Sequence, residues 1–282
     1  FNLDASGNLG FQKWRTNQVI AIEECFLPDK TLLDLWQQLD IGEDSQVDRL
    51  GLRIGREEDT MLILQNESED PPEMNMNIPV SVVHLGPSGA SVLGGSDHIQ
   101  MEVLGRNFRV SAGSFFQVNN AMTEKMIAHL LDLLPLDQNT TLVDAYCGVG
   151  LFSTFLAPKV GTLIGIESSP SACDDFIENI EEFDNTTLYQ GDVEEVLHDL
   201  EEQADIIVVD PPRAGLAPEV IDAITIIHKP KMLAYVSCDP ATLSRDAKRL
   251  TIGGYELKQV TLFDLFPQTY HIESISIWEP TT

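Results

Sequence analysis

The chain has 282 residues, 43% of them hydrophobic and 22% charged, and 45 acidic against 17 basic side chains give it a formal net charge of −28. That length allows one large or two medium domains with a sizeable core, and no apolar run approaches the roughly 18 residues of a membrane-spanning helix. A surface so negative repels phosphate backbones, and composition alone therefore argues against a nucleic-acid partner.

The opening, FNLDASGNLGFQKW, has neither an initiator Met nor the basic-then-apolar pattern of a secretory signal, and it reads as the interior of a longer protein. Thr31–Leu39 carries apolar residues at helical spacing. Short alternating stretches follow at Val47–Ile54, Met61–Gln65, Val80–Leu85 and His98–Val103. The turn-rich segments SEDPPEMN and GPSGASVLGGSD separate them, which predicts a small antiparallel sheet.

From about Gln117 the pattern changes. An amphipathic helix, Asn120–Leu134, ends at Pro135, and short apolar runs then alternate with helical or turn segments: Thr141–Tyr146, Leu163–Glu167, Thr187–Tyr189, Ile206–Asp210, Leu233–Ser237 and Glu256–Leu262. Such alternation predicts a parallel, doubly wound α/β sheet, with Glu273–Trp278 as an antiparallel partner after a short turn. The expected organisation is a smaller α+β domain over residues 1–110 and a Rossmann-like domain over 111–282. Four cysteines, Cys25, Cys147, Cys173 and Cys238, stand far apart, without a CxxC pair or a disulfide framework, and suit a reducing cytoplasm.

The segment LVDAYCGVGLF at 142–152 runs strand, turn, helix. Gly148 and Gly150 would let the backbone approach a ligand at the carboxyl end of the first strand, although a tight connection that binds nothing gives the same pattern. The next strand, LIGIES, ends in Glu167, where a carboxylate can accept hydrogen bonds from both ribose hydroxyls of a nucleoside, and Asp192 in YQGD lies within reach of an adenine amino group. A dinucleotide site wants a third glycine at position 153, which is Ser, so the ligand indicated is S-adenosylmethionine rather than NAD.

Two successive strands then deliver chemistry to the same edge. ADIIVVD runs into PPRAGL, which holds Asp210 on a proline-stiffened turn with Arg213 free to face phosphate, and MLAYVSCDP delivers Cys238. The bland alternatives are a proline-terminated strand with a solvated Arg and a buried, inert thiol. The tail DLFPQTYHIES adds Asp264, His271 and Glu273, the last between Ile272 and Ile275, where apolar neighbours favour a raised pKa and a general-base role. A thiol and a carboxyl so placed suit methylation at carbon 5 of uracil. That carbon is too weakly nucleophilic until a thiolate has added to carbon 6, and the carbon 5 proton must afterwards be removed by a base.

The runs SFFQVNN (114–120), DAYCGVGLF (144–152), DPPRAG (210–215), VSCDPATLSRD (236–246) and DLFPQTYHIE (264–273) closely resemble the RNA 5-methyluridine methyltransferase family, which acts on transfer or ribosomal RNA. The upstream GFQKWRTNQVIAIEECFLP and DRLGLRIGREEDTMLILQ are similar to that family's central region. The resemblance implies a seven-stranded, mostly parallel sheet, an RNA partner contacted also by the N-terminal domain, and a monomer. It implies cofactor contacts from Gln117, Tyr146, Glu167, Asp192 and Asp210, substrate contacts from Asp210, Arg213 and His271, Cys238 as nucleophile and Glu273 as proton acceptor. Leu151 departs from the pattern, which usually has a polar Asn or Thr there. Relatives usually begin with a small RNA-binding β-barrel, the TRAM domain, which is not in these residues. Some bind an iron–sulfur cluster through four cysteines, and Cys25 matches only the last, so no cluster or other metal is expected in this chain. A basic domain outside these residues, or adaptation to a salty environment, would reconcile the acidic charge with an RNA partner.

Two other functions compete. Cytosine-5 RNA methyltransferases resemble this chemistry but place a second cysteine after the fourth strand, where this chain has DPPR; an N6-adenine enzyme would want an aromatic residue where Arg213 stands. A cofactor-binding scaffold that has lost catalysis would have no use for both Cys238 and Glu273.

Overall fold

The computed structural model describes residues 1–4, 6–13, 16–39, 47–72 and 79–281. The chain divides into two compact units, one formed by Phe1–Glu102 with Arg109–Gly113, the other by Val103–Phe108 with Ser114–Thr282.

The first unit is built on a seven-stranded sheet whose spatial order is 19–21, 9–12, 2–3, 49–54, 60–65, 81–86 and 89–94. Leu9, Val47, Leu50, Leu62 and Leu64 form its core, with the Phe1 and Trp36 rings 4.9 Å apart beside it. The sheet departs from the all-antiparallel expectation. Thr60–Gln65 pairs with Ser81–Gly86 in parallel, Met61 opposite Ser81. The connection between them, residues 66–80, is long enough for the crossover that a parallel pair requires. The expected turn SEDPPEMN lies outside the described residues from Glu73 onward, and so do Trp14 and Arg15 within GFQKWRTNQ. His98–Val103 does not join this sheet either; it pairs with Arg106–Ser111 as a separate hairpin. The tight turn Leu104–Gly105 has both residues at positive φ, which matches the right-handed twist of the flanking strands. The predicted helix at Thr31–Leu39 spans Lys30–Trp36, capped by Asp29, which accepts from the Thr31 N–H.

In the second unit the strands are β1 (Thr141–Ala145), β2 (Thr162–Glu167), β3 (Thr186–Gln190), β4 (Ile206–Val209), β5 (Met232–Ser237), β6 (Tyr255–Phe263) and β7 (Glu273–Pro280), in the order β3-β2-β1-β4-β5-β7-β6. β1 to β5 pair in parallel, and β7 runs antiparallel to both β5 and β6. Both sheet faces are covered, so β4 reads as an unbroken apolar run: Ile206, Ile207, Val208 and Val209 are all buried. Each such side chain contributes about 1.5–3 kcal/mol of burial. The helices are α1 (Asn120–Leu133), α2 (Leu151–Leu156), α3 (Pro170–Ile180), α4 (Val193–Asp199), α5 (Pro218–Asp222) and α6 (Pro240–Ile252).

This order places the site. The chain winds outward from β1 through β2 to β3, then restarts at β4 on the other side of β1, which makes the carboxyl ends of β1 and β4 the switch point where open α/β sheets form their ligand crevice. Because β7 runs the other way, its amino end meets the carboxyl end of β5. No helix among the described residues is long and apolar enough to cross a membrane.

Candidate active site

The loop after β1 is strained toward its task. Tyr146 sits at φ 64°, in the left-handed region that a bulky side chain rarely adopts, and Gly148 and Gly150 follow at φ 53° and 85°. A Cβ on Gly148 would point into open space, whereas one on Gly150 would stand 2.9 Å from Cδ2 of Phe176. Gly148 therefore leaves the bare backbone facing the crevice, and Gly150 lets α2 start close against α3. Gly150→Ala, which meets both the wrong φ and the Phe176 ring, is expected to lower stability by roughly 1–3 kcal/mol. A thermal melt checks it, and an unchanged midpoint would show that the loop can relax.

Glu167, at the end of β2, is held by three backbone donors: the Gly148 N–H at 2.9 Å on Oε2, and those of Ser168 and Ser169 at 2.9 and 2.7 Å on Oε1. One lone pair of Oε2 stays open for a ligand hydroxyl. Asp192 is exposed at the start of α4 and makes no capping bond with its side chain. The Tyr146 phenol is half-buried, and burial together with nearby Glu194 pushes its pKa up.

Gln117 is 6% exposed. It lies in a strap anchored at both ends: Ser114 Oγ donates to Asp175 Oδ2 at 2.6 Å, and Asn119 Nδ2 to the Leu265 carbonyl at 3.2 Å. Asn119 also caps α1 by accepting from the Met122 N–H.

At the neighbouring edge, Ser237 is registered against Ser274, which brings Cys238, the residue after β5, to the same end of the strand pair as Glu273, the first residue of β7. The Asp210 N–H donates to the Ala145 carbonyl at 3.2 Å, which ties the turn after β4 to the end of β1. Arg213, exposed, donates through Nη2 to His271 Nδ1 at 3.3 Å. Glu273 is 5% exposed, and burial raises its carboxyl to about 7 against a small opposing pull from Arg213. Asp210 keeps some solvent contact, yet its dense surroundings, then Glu273 and Asp144, push its carboxyl well above the usual range. Burial, then Glu273 and Asp210, raise the half-buried Cys238 thiol, while Arg213 lowers it. Burial also lowers His271.

Three features of the site escape a reading by motif. Ser153, which stands where a dinucleotide site would have its third glycine, is fully buried and donates from Oγ to Asp144 Oδ2 at 2.6 Å. Asp144 itself is fully buried, Oδ1 has no partner, and burial raises its carboxyl to about 7. The third is the pair Arg245 and Asp246 on α6, visible in sequence only as the end of VSCDPATLSRD. Cys147 and Cys173 are buried, with thiols pushed up, Cys173 to about 11, so Cys238 is the accessible thiol of this unit. Cys25 is buried and free, and among the described residues no His, Cys, Asp and Glu side chains gather in a group that could hold a metal ion.

The profile of the tRNA (Uracil-5-)-methyltransferase family matches residues 95–279. The chain belongs to that family. Among its relatives, an uncharacterized RNA methyltransferase of Streptomyces avermitilis is 32% identical over 288 residues, covering 99% of this chain and 66% of the relative. Another from Aquifex aeolicus is 34% identical, covering 96% of this chain and 67% of its own length. The chain thus spans about two thirds of these family members. The crystal structure of Pyrococcus abyssi tRNA (uracil-54, C5)-methyltransferase in complex with S-adenosyl-L-homocysteine superposes with a TM-score of 0.73 at 24% identity, covering 95% of this chain and 72% of that one. The second unit thus has the Rossmann-like fold of S-adenosylmethionine-dependent methyltransferases, as its strand order indicates, beside a smaller, β-rich N-terminal part.

Proposed function

We propose that this protein methylates carbon 5 of a uridine in transfer or ribosomal RNA, with Cys238 as covalent nucleophile and Glu273 as the base that removes the carbon 5 proton. The pairing of β5 with β7, which brings Cys238 and Glu273 to one end of the same strand pair, close enough for the carboxyl to raise the thiol, supports this reading.

The crevice fits S-adenosylmethionine. Glu167 has an open lone pair for a ribose hydroxyl, Asp192 is exposed where an adenine amino group can be met, and Gly148 leaves room for the ligand to approach the backbone. Tyr146 and Gln117 complete the lining. When bound, S-adenosylmethionine supplies an electrophilic methyl on a sulfonium centre.

The chain's own residues do the rest. The Cys238 thiolate adds to carbon 6, breaking the C5–C6 double bond and placing electron density on carbon 5. Arg213 lowers the cost of that thiolate and lies where it can also meet phosphate or the base. His271 accepts a hydrogen bond from Arg213 and so orients it. Once carbon 5 carries the methyl group, Glu273 takes its proton, the double bond re-forms, and the thiolate leaves carbon 6. The uridine must lie outside its stack, which favours single-stranded or looped RNA, and we assign further RNA contact to the N-terminal unit.

The test is to incubate the chain with unmodified transcribed RNA and methyl donor, digest to nucleosides and weigh the products. 5-Methyluridine is the expected product. Finding 5-methylcytidine or a methylated adenosine instead would overturn the assignment.

A further inference from the structure

A carboxylate outside the crevice ties the site's parts together. Asp246 is fully buried in α6, the helix that starts directly after Cys238 and is capped by Asp239, which accepts from the Ala241 and Thr242 N–H groups at 2.8 and 3.0 Å. Its Oδ2 accepts from the Leu216 N–H and from the Tyr235 hydroxyl, both at 2.9 Å, and its Oδ1 accepts from Arg245 Nε at 2.8 Å. Arg245 Nη2 in turn donates to the carbonyls of Ala214 and Leu216, at 2.8 and 3.2 Å. Gly215, between them, sits at φ 73°, and a Cβ there would stand 2.5 Å from Asp246 Oδ2 and 2.7 Å from Arg245 Nη2. The bonds that Asp246 and Arg245 make to the loop 210–216 land on its last residues, Ala214 and Leu216, just past Arg213.

We propose that Asp246 and Arg245 are positioning residues: they fasten the loop bearing Asp210 and Arg213 to the helix that follows Cys238, and thereby fix the distance between the Arg213 guanidinium and the thiol. The physical reason is cost. Burying a carboxylate is unfavourable unless each oxygen is engaged, and here the compensating donors come from a loop backbone, a strand side chain and the adjoining Arg. Tyr235 belongs to β5, which leads directly into Cys238, so the same oxygen bonds both to that strand and to the loop after β4.

The inference rests on the role given to Cys238 above, and its test needs neither RNA nor methyl donor. Alkylation of Cys238 by iodoacetamide is followed by mass spectrometry across pH for the unaltered chain, Asp246→Asn, Arg213→Gln and the double variant. Asp246→Asn and Arg213→Gln are each expected to slow the reaction roughly 3- to 10-fold at pH 8 and to move the profile to higher pH, because the thiolate fraction falls tenfold per unit of pKa. The double variant is expected to be no slower than the slower single one. A folded Asp246→Asn protein whose thiol reacts as in the unaltered chain would overturn the proposal, and so would effects that multiply in the double variant, since those mean the latch acts independently of Arg213. Should Asp246→Asn fail to fold, Arg245→Gln and Tyr235→Phe remove single bonds of the same latch and should shift the profile in the same direction by less; unchanged profiles in both refute it. A shifted profile in a protein that never methylates uridine would retain the latch and sink the enzymatic reading, whereas unchanged thiol reactivity with normal methylation would do the reverse.

Discussion

Replacing Cys238 by alanine is expected to abolish methylation, lowering turnover by at least about 10⁴-fold, the scale on which loss of a covalent nucleophile acts, while methyl-donor binding is unchanged. The two effects separate because the proposed cofactor contacts come from the ends of β1, β2, β3 and β4 and the strap at 114–120, whereas Cys238 follows β5. RNA carrying 5-fluorouridine makes the test direct. Fluorine cannot leave carbon 5 as a proton does, so an RNA–protein adduct resistant to denaturation should accumulate with the unaltered chain and be absent from Cys238→Ala. An adduct that persists in Cys238→Ala would move the nucleophile elsewhere. The rate of adduct formation should climb with pH without levelling below about pH 9, because burial and the neighbouring carboxyls hold this thiol above its ordinary range.

The parts of the site legible in sequence are those carried by short-range pattern. A strand that runs directly into Gly148 and Gly150, or into Asp210 with two prolines, announces both its end and the edge at which it ends. The parallel order of the sheet follows from strands alternating with helices, and the reversed β7 from its short link to β6. Contacts between distant segments stayed hidden. Asp246 meets Leu216 across 30 residues of sequence, and Ser153 meets Asp144 through a helix turn whose orientation depends on Gly150. In the N-terminal unit, alternating strands look alike whether their partners run parallel or antiparallel, so the pairing of 60–65 with 81–86 depends on where the chain between them travels. The hairpin at His98–Ser111 is a separate element that sequence does not distinguish, because His98–Val103 alternates as the strands of the main sheet do.

Glu273→Gln is expected to separate the two halves of the reaction. Attack by Cys238 and methylation should still occur, but without a base the carbon 5 proton stays in place, so adducts should build up with ordinary RNA and turnover should fall by about 10²–10⁴-fold. In the unaltered chain the release step should rise with pH through about 7 and then level, because the buried carboxyl must ionise to act and its pKa is held near that value. The glutamine variant should lose that limb. The same burial predicts an opposite effect on stability. With a folded pKa of about 7 against an ordinary 4.5, the protonated form favours the fold at low pH, and that contribution is lost as pH rises through 7. Glu273→Gln should therefore melt higher than the unaltered chain at pH 8, by up to about 3 kcal/mol of stability, with little difference near pH 4.5. A site that trades stability for a poised base shows both effects together. Normal release from Glu273→Gln, or a melting difference independent of pH, would mean that this carboxyl is not the base.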